Sequence, residues 1–200
     1  MEEIRFDDQG LVPCVMQDAR TGEVLTLAYM NEEALSRTRE TGEIHFWSRS
    51  RNELWHKGAS SGNTMKVRAL RADCDSDAIV ALVDPTGPAC HTGERSCFHD
   101  GDLDPQPGEA LAVLERTISE RKAAGDSGSS YTAQLLADPP FIGEKVQEEA
   151  EEVARAAAGE SDQRLREEAA DVLYHLAVLL ASRGMSFVDA FKELNDRRGR

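Results

Sequence analysis

The chain lacks long apolar runs, an excess of basic residues and any dense set of cysteines. No stretch approaches the roughly 18 uninterrupted apolar residues of a membrane helix, so no membrane association is expected. With 23 basic against 37 acidic residues and a net charge of −14, it has no basic footprint with which to displace phosphate counterions. Nucleic acid is therefore not an expected partner. The start, Met1-Glu2-Glu3-Ile4-Arg5, lacks the basic-then-apolar pattern of a secretory signal, and a cytoplasmic location is expected. In a reducing compartment the four cysteines read as metal ligands, nucleophiles or core residues rather than a disulfide framework.

What is present suffices for one or two folded domains. The 200 residues are 40% hydrophobic and 30% charged, inside the globular range and outside the disordered one. The stretch Asp100-Gly101-Asp102-Leu103-Asp104-Pro105-Gln106-Pro107-Gly108 is rich in proline, glycine and acid and reads as a linker. It predicts domains at 1–107 and 108–200. The first holds all four cysteines, both tryptophans and every histidine except His175, whereas the second is rich in Ala, Leu, Glu and Arg.

In the first half, β-branched apolar runs at 12–17 and 24–30 flank the turn residues Asp18-Ala19-Arg20-Thr21-Gly22-Glu23 and predict a hairpin. Asn31 is placed to cap a short helix through about Arg39, and 44–49, 64–72 and 78–83 follow as strands. The expected class is α+β with a mostly antiparallel sheet. In the second half, helical periodicity over about 109–123, 131–137, 141–158 and 162–182, broken at 125–130 and 159–161, predicts an all-α domain.

Cys74, Cys90 and Cys97 are spaced 16 and 7 apart, which is no zinc-finger spacing. Three thiolates can nonetheless hold a catalytic zinc with one open position, while buried free thiols are the plainer alternative. Cys74 lies within Asp73-Cys74-Asp75-Ser76-Asp77, where strand alternation would send three carboxylates to one side and the thiol to the other. Such a tract attracts a hard cation such as Mg²⁺, or else is a solvated acidic turn. His91 follows Cys90 and can serve as a ligand or as a general base toward a zinc-activated water. His45, His56 and His99 have no comparable setting and are expected in structural or surface roles.

Trp47-Ser48-Arg49-Ser50-Arg51 and Leu54-Trp55-His56-Lys57-Gly58-Ala59-Ser60-Ser61-Gly62-Asn63 gather cations, hydroxyls, glycines and indoles in an otherwise acidic chain. Arg49, Arg51, Lys57, Ser61 and Gly62 suit an anionic, aromatic ligand. A polar loop with Trp47 and Trp55 as core anchors remains the alternative.

At 100° per residue, Ile142, Val146, Ala150, Val153 and Ala157 form an apolar stripe that includes Glu149 and borders on Glu152. On the following helix Glu168, Asp171 and His175 line the border of the stripe of Leu165, Val172, Leu176, Leu179 and Leu180. Carboxylates leaning toward a shared seam predict a Mg²⁺ site, which Lys145 and Glu148 can join. Ion pairs with Arg155, Arg164 and Arg166 are the alternative.

Across residues 11–197 the chain resembles a known pair of enzyme families. Met30-Asn31-Glu32-Glu33-Ala34-Leu35, Trp47-Ser48-Arg49-Ser50-Arg51, Leu54-Trp55-His56-Lys57-Gly58, Ser61-Gly62-Asn63, Asp73-Cys74-Asp75-Ser76-Asp77-Ala78 and Ala89-Cys90-His91-Thr92-Gly93 resemble phosphoribosyl-AMP cyclohydrolase of histidine biosynthesis. Tyr131-Thr132-Ala133, Lys145-Val146-Gln147-Glu148-Glu149-Ala150-Glu151-Glu152 and Glu168-Ala169-Ala170-Asp171-Val172-Leu173-Tyr174-His175 resemble phosphoribosyl-ATP pyrophosphohydrolase, a MazG-like all-α family. Together they resemble the fused, bifunctional form. The resemblance implies zinc on Cys74, Cys90 and Cys97, shared between the subunits of a homodimer, and Mg²⁺ on Asp73, Asp75 and Asp77. It implies a second Mg²⁺ on Glu149, Glu152, Glu168 and Asp171, with phosphoribosyl-ATP and phosphoribosyl-AMP as substrates. Ser60 stands where the family more often has Thr, and Cys14 receives no role.

Overall fold

The computed structural model describes residues 4–102, 104, 106–124 and 130–198. They fall into two compact units, Met1–Asp104 and Pro105–Arg200. Most of the predicted break at 125–130, and Leu103 and Pro105 of the predicted linker, lie outside the described residues.

The first unit is one six-stranded sheet and one helix: β1 (Val12–Asp18), β2 (Val24–Met30), α1 (Glu32–Thr41), β3 (His45–Ser48), β4 (Glu53–His56), β5 (Met65–Ala72) and β6 (Ile79–Pro85). The strand order is β4-β3-β2-β1-β6-β5. Antiparallel pairing dominates as expected, but β1 and β6 run parallel, from Cys14 beside Ile79 to Asp18 beside Val83. Strand β1 alternates strictly, with Val12, Cys14, Met16 and Asp18 inward. Val12, Cys14 and Met16 pack with Leu25, Met30, Leu35, Ile44, Phe46 and Met65 into one core. Asn31 caps α1 by accepting from the Ala34 N–H at 2.8 Å, and Gly42 ends it at φ 70°. Cys14 is a core residue, its thiol pushed up to about 12 by burial.

The acidic tract departs from its expected geometry. Residues 73–78 form a tight turn between β5 and β6, with Ser76 at φ 62°, so alternation does not operate. The three carboxylates still converge, because the turn folds Asp73 back to accept from the N–H groups of Asp77 at 3.0 Å and Ala78 at 3.2 Å.

The second unit is all-helical among its described residues: α2 (Ala110–Ala124), α3 (Tyr131–Ala137), α4 (Pro139–Gly159), α5 (Asp162–Ser182) and α6 (Phe187–Arg198), preceded by a 3₁₀ turn. Ser130, Asp138 and Ser161 each accept from a backbone N–H in the first turn of the helix that follows. Ile118, Leu135, Ile142, Val178 and Phe187 form the core. The inward stripe of α4 is Ile142, Val146, Glu149, Val153 and Ala156, whereas Ala150 and Ala157 are exposed. Spacings of four and three thus put Glu149 at the centre of the buried face. No single described helix is long and apolar enough to cross a membrane.

Gly58 is indispensable to the turn after β4. Its φ is +89°, and a Cβ there would lie 2.5 Å from the backbone of Asn63 and Thr64, whereas Gly42 has open space around it. Gly42→Ala is expected to cost about 1–2 kcal/mol, the left-handed penalty alone. Gly58→Ala is expected to cost clearly more, since backbone must move. Both tryptophans lie in this unit, so the intrinsic fluorescence midpoint in urea reads the difference directly.

Candidate active sites

In the first unit the loop after β6 carries Cys90, His91 and Cys97, and the sheet holds it at several points. The Cys97 N–H donates to the Leu25 carbonyl at 2.8 Å, and the Ser96 hydroxyl to the Val24 carbonyl at 2.8 Å. Arg95 grips the buried Asp18 carboxylate and Glu23, tying the loop to the β1–β2 hairpin. Within the loop the Ala89 and Cys90 N–H groups donate to the carbonyls of Arg95 and Glu94, each at 3.0 Å. These bonds bring Cys90 and Cys97 together beside the start of β2.

Cys90 Sγ accepts from the Thr92 hydroxyl at 3.1 Å and has ring nitrogens of His91 and His99 at 3.8 Å. The Thr92 hydroxyl, then the Thr92 N–H, lower its pKa to about 6 against the opposing effect of burial, helped by His99 and Cys97. Cys97 moves the other way, raised by burial and by the Cys90 thiolate. One thiol of the pair is therefore already a ligand-ready thiolate at neutral pH. His99, which sequence alone left without a role, belongs to this group; its position two residues past Cys97 was the only signal.

Cys74 is elsewhere. It sits in the exposed turn before β6, whose first residue pairs with Cys14 near the start of β1. Cys97 lies against Leu25, beside the far end of β1, where Val24 pairs with Gln17. Within one chain the third cysteine stands at the opposite end of the sheet from the other two. Around it, Asp73, Asp75 and Asp77 each place a carboxylate oxygen within 4.8 Å of the others. Asp77 is raised by Asp75 above all, while the N–H donors of Ala78 and Asp77 hold Asp73 low despite some desolvation.

A cleft of about 920 Å³ opens beside the loop, lined by Tyr29, Trp47, Arg49, Arg51, Trp55 and His91 among others. The Arg49 guanidinium stacks over Tyr29 at 3.8 Å. Arg49, Arg51 and His91 are thus brought together. Ser61, Gly62 and Lys57 do not line the cleft. Ser61 accepts from the Asn63 N–H at 3.2 Å and the Gly62 carbonyl from Thr86 at 3.2 Å, both as loop bonds. Lys57 is 6% exposed and donates to the Ala89 carbonyl at 2.9 Å.

In the second unit Glu149, Glu152 and Glu168 place oxygens within 4.8 Å of one another, with Glu168 at 3% exposure. Asp171 is exposed and outside this group. Arg164 contacts both Glu168 and Glu152, and Arg155 pairs with Glu152 at 2.7 Å, so ion pairs and convergent carboxylates coexist. Lys145 donates to Glu148 at 2.6 Å, which raises its pKa.

Behind the carboxylates His175, read from spacing at the border of the α5 stripe, belongs to a hydrogen-bonded network whose partners spacing does not identify. His175 is 5% exposed, with Nδ1 3.0 Å from the Asp171 carbonyl and 3.7 Å from Glu149. A carbonyl only accepts, so Nδ1 carries the proton and Nε2 accepts from the Tyr131 hydroxyl at 3.2 Å. Burial keeps that phenol above its ordinary pKa, against the opposing pull of Lys145. Thr132 joins Tyr174 at 2.8 Å and Arg121 at 2.7 Å on the same side.

Comparison with known proteins agrees with this division. The family model for phosphoribosyl-AMP cyclohydrolase matches residues 26–99, and that for phosphoribosyl-ATP pyrophosphohydrolase matches 111–198. The histidine biosynthesis bifunctional protein HisIE of Gloeobacter violaceus is 50% identical, over 98% of this chain and 91% of its own length. Those of Bacillus subtilis and Thermus thermophilus are 46% and 47% identical, each over 98% of this chain and over 95% and 93% of their own lengths. Fold, donor groups and matches together define a metal-dependent hydrolase with two different domains. The chain belongs to the family of bifunctional histidine-biosynthesis proteins that join a phosphoribosyl-AMP cyclohydrolase to a phosphoribosyl-ATP pyrophosphohydrolase.

The Cys90 environment gives a pH signature. Its pKa lies below the ordinary value of about 8.5, so the thiolate persists down to about pH 6 and is lost below it. In metal-free protein, thiolate absorbance near 240 nm, taken as the difference from Cys90→Ser, is expected to titrate near 6. Thr92→Val is expected to move that midpoint upward by a unit or more, because the principal donor to the thiolate is gone.

Proposed function

We propose that residues 108–200 hydrolyse phosphoribosyl-ATP to phosphoribosyl-AMP and pyrophosphate, and that residues 1–107 then open the adenine ring of phosphoribosyl-AMP between N1 and C6. The observation that carries this reading is that each unit lies inside its own family match and holds its own donor groups, the Cys90–Cys97 pair and the Asp73, Asp75 and Asp77 turn in one and Glu149, Glu152 and Glu168 in the other. The reading implies a cytoplasmic enzyme acting on small, soluble nucleotides.

In the helical unit Glu149, Glu152 and Glu168 would hold Mg²⁺, with Asp171 one turn beyond Glu168 joining them by a change of rotamer. The ion, when bound, supplies the positive charge that offsets a triphosphate. Lys145, near the Tyr131 hydroxyl, adds a cation for the departing pyrophosphate. His175 holds Tyr131 and packs beside Glu149, fixing the rim of the site. The domain's likeness to MazG-type pyrophosphohydrolases rests on its all-helical build and paired acidic motifs.

In the sheet unit Cys90 and Cys97, with Cys74 from a second chain, would hold zinc, which when bound acidifies a water and polarises the base. His91 projects from the thiol loop into the cleft and would take the proton of the water that attacks C6. Arg49 and Arg51 would hold the phosphates, and Trp47 and Trp55 the base. Asp73, Asp75 and Asp77 fit a further Mg²⁺ by donor type and convergence. The position of Cys74, at the other end of the sheet, supports a site completed across a homodimer.

Mass analysis after incubation of the chain with phosphoribosyl-ATP, Mg²⁺ and Zn²⁺ tests the whole reading; loss of pyrophosphate followed by gain of one water is expected. Release of ammonia would instead identify a deaminase. Glu149→Gln or Glu168→Gln is expected to reduce pyrophosphate release by at least about 100-fold while leaving ring opening of supplied phosphoribosyl-AMP intact. His91→Ala is expected to do the reverse.

Sharing of the zinc site has its own test. Cys74→Ser and Cys90→Ser chains, each inactive in ring opening, are unfolded and refolded together. Half of the dimers would be mixed, with one intact site of two, so about a quarter of wild-type activity is expected to return. No recovery would place all the ligands in one chain.

A further inference from the structure

We propose that Lys57 is a positioning residue for the thiol pair: its buried ammonium fixes the peptide that carries Cys90 and offsets the charge of the bound thiolates, so that it sets zinc affinity. This rests on the reading of Cys90 and Cys97 as zinc ligands.

The geometry starts with the backbone. The Lys57 N–H donates to the Ile44 carbonyl at 2.9 Å, directly after β4, and Gly58 follows in the crowded turn where even a Cβ has no room. The stem of Lys57 is therefore anchored at its root. At its tip Nζ donates to the Ala89 carbonyl at 2.9 Å. That carbonyl belongs to the peptide whose N–H is that of Cys90, and this N–H donates to the Glu94 carbonyl at 3.0 Å. The peptide plane entering Cys90 is thus held at both ends, by an ammonium on one side and the loop on the other.

The charge argument is independent of this. Among the described residues no carboxylate forms an ion pair with Lys57, although it is 6% exposed. A buried cation without a counter-ion is costly. The anions acting on it are Cys97 and Cys90, which oppose the effect of its burial. Three thiolates around a divalent ion carry one negative charge in excess, and Lys57 is the cation placed to balance it. The Trp55 ring, 5.9 Å from Nζ, gives the ammonium a further favourable face. A phosphate in the cleft would meet Arg49 and Arg51, which line it, rather than Lys57.

The experiment measures zinc affinity of the full chain by competition with a chromophoric chelator, and KM for phosphoribosyl-AMP at saturating zinc. Lys57→Met is expected to weaken zinc binding about 10- to 100-fold and to leave KM within twofold. Lys57→Gln, which keeps an N–H donor for Ala89 but no charge, is expected to fall between Met and wild type. Unchanged zinc affinity with a raised KM would overturn the proposal and make Lys57 a substrate ligand. If Lys57→Met does not fold, as judged by tryptophan fluorescence, Lys57→Gln decides the matter on the same two quantities. Wild-type zinc binding that survives in Cys90→Ser would instead refute the zinc reading itself, a result distinct from any change at Lys57.

Discussion

Like charges gathered more closely than they would stand by themselves are the constraint from which both units are built. Anions held a few ångströms apart repel one another, and more strongly where burial lowers the effective dielectric. A fold that brings three carboxylates within 4.8 Å in two separate places, and two thiols in a third, has to answer that repulsion. It does so with resident cations beside each group: Arg5 at Asp75, Arg155 at Glu152 and Arg164 at Glu152 and Glu168, and Lys57 behind Cys90 and Cys97. The arginines leave each carboxylate cluster with negative charge in excess, a condition that favours a divalent ion, whereas in the thiol pair only Cys90 is lowered toward the thiolate.

The scaffolds meet the constraint by different means. In the helical unit the spacing does the work, since positions seven apart on α4 and α5 share a face, and Glu149 and Glu168 occupy places that Leu would otherwise fill. In the sheet unit there is no such periodicity to exploit. The thiol loop is irregular and takes its shape from outside, through the Arg95 clamp on Asp18 and Glu23, the Ser96 and Cys97 bonds to β2, and Lys57 on Ala89. A helix carries its ligands in register automatically, whereas a loop has to be pinned at several points to hold a ligand to within a fraction of an ångström.

This difference explains which features were legible in the sequence. The inward places of Glu149 on α4 and Glu168 on α5 followed from helical periodicity, though not the exposure of Asp171, and the β1–β2 hairpin and the Asn31 cap followed from turn and capping residues. Pairing between β1 and β6 did not, because it joins segments more than sixty residues apart and no local pattern encodes its parallel sense. Strand β4, four residues long, and helix α6, whose Phe191 and Leu194 stay exposed, fell below what a local pattern can separate from a loop. Convergence of Asp73, Asp75 and Asp77 was anticipated for the wrong reason, as strand alternation; a turn with Ser76 in the left-handed region achieves it. The burial of Lys57 and the partners of His99 and His175 depend on tertiary neighbours, although spacing had already put His175 on the border of the α5 stripe.

Lys57 and His175 illustrate a common principle in unrelated architectures. Both are buried polar side chains lying behind the donor groups, and both spend hydrogen bonds on main-chain carbonyls, of Ala89 and Asp171. A surface residue in either place would be free to change rotamer. Burial removes that freedom and leaves one geometry, so the donors are presented in a fixed orientation before any ion or substrate arrives. Motifs read along the chain identify the groups that touch the metal or the substrate. What fixes those groups is a second set of residues, chosen by the fold, and it can be identified only once the chain has been folded around them.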